Sequence, residues 1–429
     1  MALAILLSLP LGAFLNVLLV FSFTVTGIPL TVVTIFMGHI IIICVLILLI
    51  YKRPQLLMDL ERPAKNLPKK NSRVEKIVLG VSIILLAMTL VYSFVHAIML
   101  PTAQYDSATN WTMRSEISFY DHSIAFDPTE IRGMAKPQYP FLFHALQISA
   151  NEGQKHWNDT AANGILYLLS LGTFGAIFLK IRKLRGTVHA LATIAALFSI
   201  PLLSLHLAQG YGDLNLLQFL LLSVSCLGLW IESTHARKNR WLILSAVFVA
   251  ASVWTKSEGS LFGLLPWLLT VALVCGRNPH TWKGARTALI LAVLLSIPWP
   301  LFAALKGLSL TPHSSDTMIR LHPEGFAEAL RGIFSRGSFG LTWYSLGFLI
   351  PLLTYAGWKH HPDLQRRNLP LLAWGTVMLT EVLFIYLATP NVRFLLNAES
   401  FYRQMMIPAA MLILASTMVL HFRRSPQDH

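Results

Sequence analysis

Two aspartates far apart in the sequence have settings that suit catalysis. Asp106 opens a long polar stretch directly after an apolar segment, and Asp213 lies in a short polar break, residues 209–213, between two apolar segments. A carboxylate that is partly withdrawn from water can act as a general base toward an attacking hydroxyl. Each acid also has an ordinary structural explanation, Asp106 as a residue near a helix start and Asp213 as part of a tight turn beside Gly210 and Gly212.

Two later polar breaks contribute cations. Lys256 and Glu258 lie in the break at residues 255–259, at or just inside the same surface, and Arg393 and Arg403 lie in or after a further break near the end of the chain. An ammonium stabilises the charge that develops on a phosphate leaving group, and a guanidinium offers a planar fork for phosphate oxygens. The alternative for all three cations is contact with lipid headgroups.

Asn110 and Tyr139 are candidates for contacts to a substrate. If the segment around Asp106 is helical, Asp106, Asn110 and Arg114 share one face at four-residue spacing. Tyr139 lies in the run Lys-Pro-Gln-Tyr-Pro at residues 136–140. Its ring can line a sugar-binding cleft, or it can belong to an interfacial aromatic belt.

The sequence indicates no certain cofactor. Asp106 and Asp213 can together share a divalent cation such as Mg²⁺ or Mn²⁺, but two acidic side chains are too few for a complete site. Water or substrate oxygens would have to complete the coordination shell. The histidines and cysteines have no metal-ligand spacing.

The composition indicates the elements that must position these residues. Hydrophobic residues make up 55% of the chain and charged residues 13%, and the mean hydropathy is +0.59. Apolar runs long enough to cross a bilayer recur along the whole chain, which predicts about twelve spans. Helices are expected, because strand alternation is absent and backbone groups in lipid must pair internally. The prediction is an all-α, polytopic integral membrane protein with spans near residues 3–23, 29–50, 77–99, 162–179, 187–206, 214–231, 241–255, 258–275, 287–305, 340–356, 369–388 and 406–421.

The positions of Lys and Arg predict the orientation. These residues concentrate in alternate loops, most densely at residues 52–76, and the positive-inside rule makes those loops and both termini cytoplasmic. The candidate site then faces outward, beside a large extracytoplasmic loop at residues 100–162 that carries surface helices. We expect one membrane domain, 1–429, with two N-terminal helices and a basic loop in 1–76 and the core in 77–429. Loop orientation explains the net charge of +14, and no nucleic-acid-binding signature is present.

The order of these motifs resembles a known group. From about Tyr105 to Pro408 the chain is similar to the polytopic GT-C glycosyltransferases, in particular the bacterial family 39 type related to protein O-mannosyltransferases and lipid A aminoarabinose transferases. The resemblance rests on the acid followed by a tryptophan (residues 105–111), on the runs at 136–140, 211–213 and 255–259, and on the late arginines Arg393 and Arg403.

The resemblance implies an activity. A sugar would pass from a polyprenyl-phosphate-linked donor to an envelope glycan or lipid acceptor, with inversion, on the extracytoplasmic face of the inner membrane. Asp106 would be the catalytic base, Asp213 a second acid that arranges acceptor or metal, and Lys256, Arg393 and Arg403 the contacts to the lipid phosphate. The chain departs from the family in having extra spans before the first acid. Asp106 also lacks the second acid that follows it in O-mannosyltransferases, which argues against a protein acceptor.

Two other classes remain open. A transporter or flippase of lipid-linked sugars predicts inverted repeats, broken helices and charges near the bilayer midplane. Only Glu381 lies clearly within an apolar span, whereas the other candidate residues gather at one surface. The third alternative is a structural subunit of an envelope-assembly complex. The polar residues at one surface favour the enzyme.

Overall fold

Helices form most of the described backbone in the computed structural model of this 429-residue chain. The structure describes residues 2–52, 72–126, 137–233, 239–277, 281–308, 319–360, 362–397 and 400–419. No strand occurs within these ranges. The all-α prediction is therefore confirmed, and the basic loop at 53–71 and Lys136 lie outside the described residues.

Nineteen α-helices are present in the described ranges, and three short π-helical segments adjoin some of them. The π-helical segments are Val95–Met99 after α3, Ser107–Thr112 before α4 and Ser260–Leu264 before α11. In chain order the α-helices are α1 (Ala2–Thr26), α2 (Val32–Lys52), α3 (Arg73–Phe94), α4 (Met113–Tyr120), α5 (Leu142–Asn151), α6 (Asp159–Arg185), α7 (Thr187–Phe198), α8 (Pro201–Gln209), α9 (Gly212–Glu232), α10 (Asn239–Val253), α11 (Leu265–Arg277), α12 (Trp282–Ser296), α13 (Pro298–Leu305), α14 (Glu324–Ile333), α15 (Arg336–Phe339), α16 (Thr342–His360), α17 (Pro362–Leu387), α18 (Val392–Leu396) and α19 (Phe401–Val419).

The number of spans differs from the sequence-based figure of about twelve. In the described part of the chain, eight helices are long and apolar enough to cross a membrane, or nine if one bent pair counts as a span. The bent pair is α7 and α8, which meet at 86° where a single span was predicted over residues 187–206. Pro201 opens α8 after an extended Ile200, because proline cannot continue the preceding hydrogen-bond pattern. Helix α10, with 15 residues, is shorter than a full span.

Helix α9 forms the centre of the bundle. In the apolar stretch of α9, 94% of the residues are buried inside the protein. The corresponding share is 11% for α2 and for the span that contains α3. Helices α6, α10, α17 and α19 pack around α9, and α1 packs on α6. The outer faces of α2 and α3 are apolar and exposed, as lipid-facing helices require. The N-terminal end of α9 is consequently the point at which several elements meet.

The predicted outer loop contains two short helices, α4 and α5, and α5 packs against α1, α4 and α6. Arg114 of α4 is fully buried and donates hydrogen bonds to the carbonyl oxygens of Ala125, Pro137 and Tyr139 at 3.0, 3.1 and 2.8 Å. Burial lowers the pKa of Arg114 to about 9. This side chain fixes the segment that carries Tyr139 against α4.

Candidate active site

Five of the residues predicted from the sequence meet in one group. The ammonium of Lys256 lies 2.9 Å from Asp213 Oδ1 and 3.1 Å from Glu258 Oε1. The guanidinium of Arg403 donates a hydrogen bond to Asp106 Oδ2, and its Nη1 lies 3.7 Å from Asp213 Oδ2. We call Asp106, Asp213, Lys256, Glu258 and Arg403 the charge cluster.

The charge cluster has a buried floor and an open side. The side chains of Asp213 and Lys256 are only 1% and 6% exposed, and they form the floor. Those of Asp106, Glu258 and Arg403 are 27%, 24% and 23% exposed, and they form the mouth. A ligand that approaches the cluster therefore meets the mouth residues first.

Local backbone geometry explains the position of Asp213. Gly210 adopts a left-handed conformation (φ 60°) that ends α8, and Tyr211 is extended, so the chain turns directly into α9. Asp213 falls in the first turn of α9, where the positive end of the helix dipole stabilises a carboxylate. The sequence motif Tyr-Gly-Asp thus places an acidic side chain at the N-terminal end of the central helix α9.

Lys256 remains charged despite its burial. Burial lowers the pKa of Lys256, but the carboxylates of Asp213 and Glu258 raise it by more, so the net direction is upward. Its ammonium also lies 5.6 Å from the ring centroid of Tyr139 and 6.0 Å from that of Trp111, at the range of cation–π attraction. Lys256, which the sequence predicted to contact a phosphate, is thus a cation already surrounded by two carboxylates and two aromatic rings.

Tyr139 is a buried wall residue of the site. Its ring stacks on Trp111 with 5.0 Å between centroids and 9° between planes. Burial raises the pKa of Tyr139, so its hydroxyl stays protonated. Its predicted contact with a substrate remains a prediction.

Trp111 in turn packs on the backbone of Gly212. A Cβ at Gly212 would lie 2.5 Å from the Trp111 ring. Any larger residue therefore has to move a ring that supports Tyr139 and faces Lys256.

We expect Gly212→Ala to lower stability by about 1–3 kcal/mol, because the added methyl overpacks a rigid aromatic contact. The measurement is the thermal unfolding midpoint of the purified protein in detergent. Gly80→Ala is the matched control, since a Cβ there meets nothing within 4 Å on the exposed side of α3. Equal midpoints for the two variants would contradict the packing argument.

Gln404 belongs to the site although the sequence analysis did not select it. Its Nε2 donates hydrogen bonds to Asp213 Oδ1 and Glu258 Oε1, both at 3.2 Å. It is buried and follows Arg403 directly on α19. The available signal was a second polar residue beside Arg403 at the start of an apolar helix, but a single glutamine has no diagnostic spacing.

Asn110 and Arg393 occupy different surroundings. Asn110 donates a hydrogen bond from Nδ2 to Asp106 Oδ1 at 2.6 Å, as the four-residue spacing predicted. Arg393 is exposed on α18 with its guanidinium 4.7 Å from the Phe394 ring centroid. The contacts of Asp106 and Asp213 do not include Arg393. The structure therefore brings Arg403, but not Arg393, to the acids.

The charge cluster does not fit a divalent cation in this arrangement. Within the described ranges no group of three or more His, Cys, Asp or Glu side chains is placed to hold a metal ion. Arg403 already bridges Asp106 and Asp213, and Lys256 pairs with Asp213. A metal ion shared by the two aspartates would compete with both cations for the carboxylate oxygens.

The arrangement supports acid–base chemistry at the mouth. Asp213 is fixed by Lys256 and Gln404 and lies out of reach of bulk water. Asp106 is partly exposed and has one carboxylate oxygen on Asn110 and the other on Arg403. Asp106 is therefore the carboxylate that a hydroxyl at the mouth can reach and to which it can transfer a proton.

Comparison with solved structures identifies the fold. The chain matches ArnT from Cupriavidus metallidurans in the apo state with a TM-score of 0.55 and 15% identity, over 80% of this chain and 60% of ArnT. It matches the same protein bound to undecaprenyl phosphate with a TM-score of 0.56 and 16% identity, over 79% of this chain and 60% of ArnT. Neither a family model nor a curated protein sequence matches the chain.

These matches confirm the predicted polytopic, all-α membrane fold, which is similar to that of ArnT. The chain spans about 60% of the length of the ArnT structures. At this level of identity the likeness concerns the fold.

Proposed function

We propose that this protein with an ArnT-like fold is a membrane glycosyltransferase that takes its sugar from a polyprenyl-phosphate-linked donor. The observation that carries the proposal is Asp106, partly exposed at the mouth of a buried charge cluster within a GT-C type of fold. The ArnT structure with bound undecaprenyl phosphate supports a carrier of this class. The acceptor is a glycan or lipid of the envelope, and the reaction takes place on the extracytoplasmic face.

The proposed reaction is a single displacement. Asp106 accepts the proton of the acceptor hydroxyl, whose oxygen forms a bond to the anomeric carbon of the sugar. The bond from that carbon to the phosphate oxygen breaks, and the carrier phosphate leaves with the electron pair. Attack from the side opposite the leaving group inverts the anomeric centre. Asp213 remains ionised beneath the reacting atoms and keeps Arg403 in place.

The cations have different roles in the proposed reaction. Lys256 has two carboxylate partners, Asp213 in the floor and Glu258 at the mouth, so its role is to neutralise them. Arg403 lies at the mouth and is partly exposed, which suits a contact to the carrier phosphate as charge develops on it. Arg393 is a second candidate for the phosphate, because it is exposed on the neighbouring α18. The isoprenoid tail can stay in the lipid while the phosphate and sugar lie at the surface.

The position of the charges favours transfer over transport. The charge cluster sits at the N-terminal end of α9, whereas a transporter of lipid-linked sugars is expected to carry its binding site near the bilayer midplane. Glu381 lies within α17, and it belongs to no ion pair of the charge cluster.

A transfer assay with the purified protein in lipid nanodiscs tests the proposal. The donor is a polyprenyl-phosphate sugar with a radiolabelled sugar, and the acceptor is an extract of envelope lipids and glycans. We expect the label to appear in a new covalent product together with free polyprenyl phosphate. A parallel assay in sealed vesicles follows movement of the same donor between leaflets. Movement between leaflets without a covalent product would show a flippase and refute the transferase.

A further inference from the structure

A set of hydrogen-bond acceptors in the site lacks donors. Asn110 Oδ1, Asp213 Oδ2, Glu258 Oε2 and Gln404 Oε1 are buried and have no hydrogen-bond partner among the described residues, although Asp213 Oδ2 keeps its longer ion pair with Arg403 at 3.7 Å. Buried polar atoms are normally paired, so four such atoms around one site point to a ligand. All four are oxygen atoms, and the groups that satisfy them must be donors.

Hydrogen bonding fixes the orientation of the two amides. The Nδ2 of Asn110 donates to Asp106, and the Nε2 of Gln404 donates to both Asp213 and Glu258. Turning either amide around would place an oxygen against carboxylate oxygens, which is unfavourable. The amide oxygens therefore face away from the acids and remain available as acceptors.

The formal charge of the cluster points in the same direction. Three carboxylates and two cations give it a net charge of −1, with Lys256 and Arg403 both occupied by acids. Arg403, which is partly exposed at the mouth, can contact the carrier phosphate, but no further cation of the cluster is left for a second anion. The rest of the site therefore attracts neutral groups rich in donors and repels an additional carboxylate. The open side at Asp106, Glu258 and Arg403 gives a ligand access from the mouth.

We propose that the charge cluster, with Asn110 and Gln404, binds the transferred sugar through its hydroxyl groups and selects a ring that carries no acidic group. The inference rests on the proposed function and adds a substrate class to it. The hydroxyls donate to the acceptors that lack partners. A uronic acid in the same position brings its carboxylate against a site that is already negative.

Two synthetic donors test the selection. Both carry the same short prenyl chain and phosphate, and one has a neutral hexose where the other has the corresponding hexuronate. Because chain and phosphate are common to both, their contributions to the ratio of dissociation constants cancel. We expect the wild-type protein in nanodiscs to bind the neutral donor about tenfold more tightly, since like charges are brought together only in the uronate complex. Equal binding, or tighter binding of the uronate, would overturn the inference.

Glu258→Gln provides a second measurement. It removes one negative charge from the cluster with little change in shape, so we expect the preference to narrow to about threefold or less. Asp121→Asn is the control, because Asp121 is exposed at the end of α4 outside the cluster, and it should keep the full preference. An unchanged preference in Glu258→Gln would contradict the charge argument. If that variant does not fold, the wild-type ratio decides alone.

The outcome is separable from the test of function. Transfer that proceeds equally well with both donors overturns the selection and leaves the transferase standing. A retained preference in binding, with no transfer of either sugar, overturns the transferase and leaves the sugar site.

Discussion

Asp106→Asn is expected to reduce sugar transfer by about 10²–10⁴-fold, because an amide cannot accept the proton of the acceptor hydroxyl. The asparagine keeps the size of the side chain and can still accept a hydrogen bond from Arg403. Arg403 also retains its contact with Asp213, so the floor of the site should remain intact. The measurement is the initial rate of transfer from a radiolabelled polyprenyl-phosphate sugar by purified protein.

The control for this variant is Asp121→Asn, which removes an exposed acid from the same polar segment without touching the charge cluster. We expect it to transfer at the wild-type rate. Both variants should elute as single folded species in detergent with unchanged thermal midpoints. Undiminished transfer by Asp106→Asn would remove the assignment of Asp106 as the base.

Lys256→Met is expected to destabilise the protein by about 3–5 kcal/mol, because it leaves the buried carboxylate of Asp213 and the partly exposed carboxylate of Glu258 without their cation. Asp213 would keep only Gln404 and the more distant Arg403, and Glu258 would lose its ion pair. The thermal unfolding midpoint in detergent measures the effect. We expect a large decrease and an almost complete loss of transfer.

A combined variant tests the cause of this destabilisation. Lys256→Met together with Asp213→Asn and Glu258→Gln removes the uncompensated charges, so it should recover much of the lost stability while transfer stays low. Lys155→Met is the control for loss of a lysine, because Lys155 is exposed. A triple variant no more stable than Lys256→Met would show that the ion pairs are not the reason.

The class of the fold could be predicted from the sequence for a simple physical reason. A long apolar run in lipid has to pair its own backbone groups, so composition and run length dictate helices without any knowledge of their packing. Eight of the described helices are long and apolar enough to agree with this, or nine if the bent pair of α7 and α8 counts as a span. The bend between α7 and α8 was not predicted, because hydropathy continues through Pro201 and does not report the direction of the chain.

The candidate site could be predicted in part. Ionisable residues in short breaks between apolar runs are costly unless they have a use or a partner, and this drew attention to Asp213, Lys256 and Glu258. Asp106 stood out at the start of the long outer loop, and Arg393 and Arg403 stood out in or after the last break. The sequence gives the types of these residues directly, and the alternation of the loops predicts that they lie at one surface. Their roles remain predictions.

Only the tertiary structure decided which residues meet. Arg393 and Arg403 look alike in sequence, but the first turn of α19 carries Arg403 and Gln404 to Asp213, whereas Arg393 stays exposed on α18. The division into a buried floor and an open mouth likewise arises from packing around α9. Hydropathy is a local property of a segment, but an ion pair depends on distances between segments, and those are set only when the helices pack together.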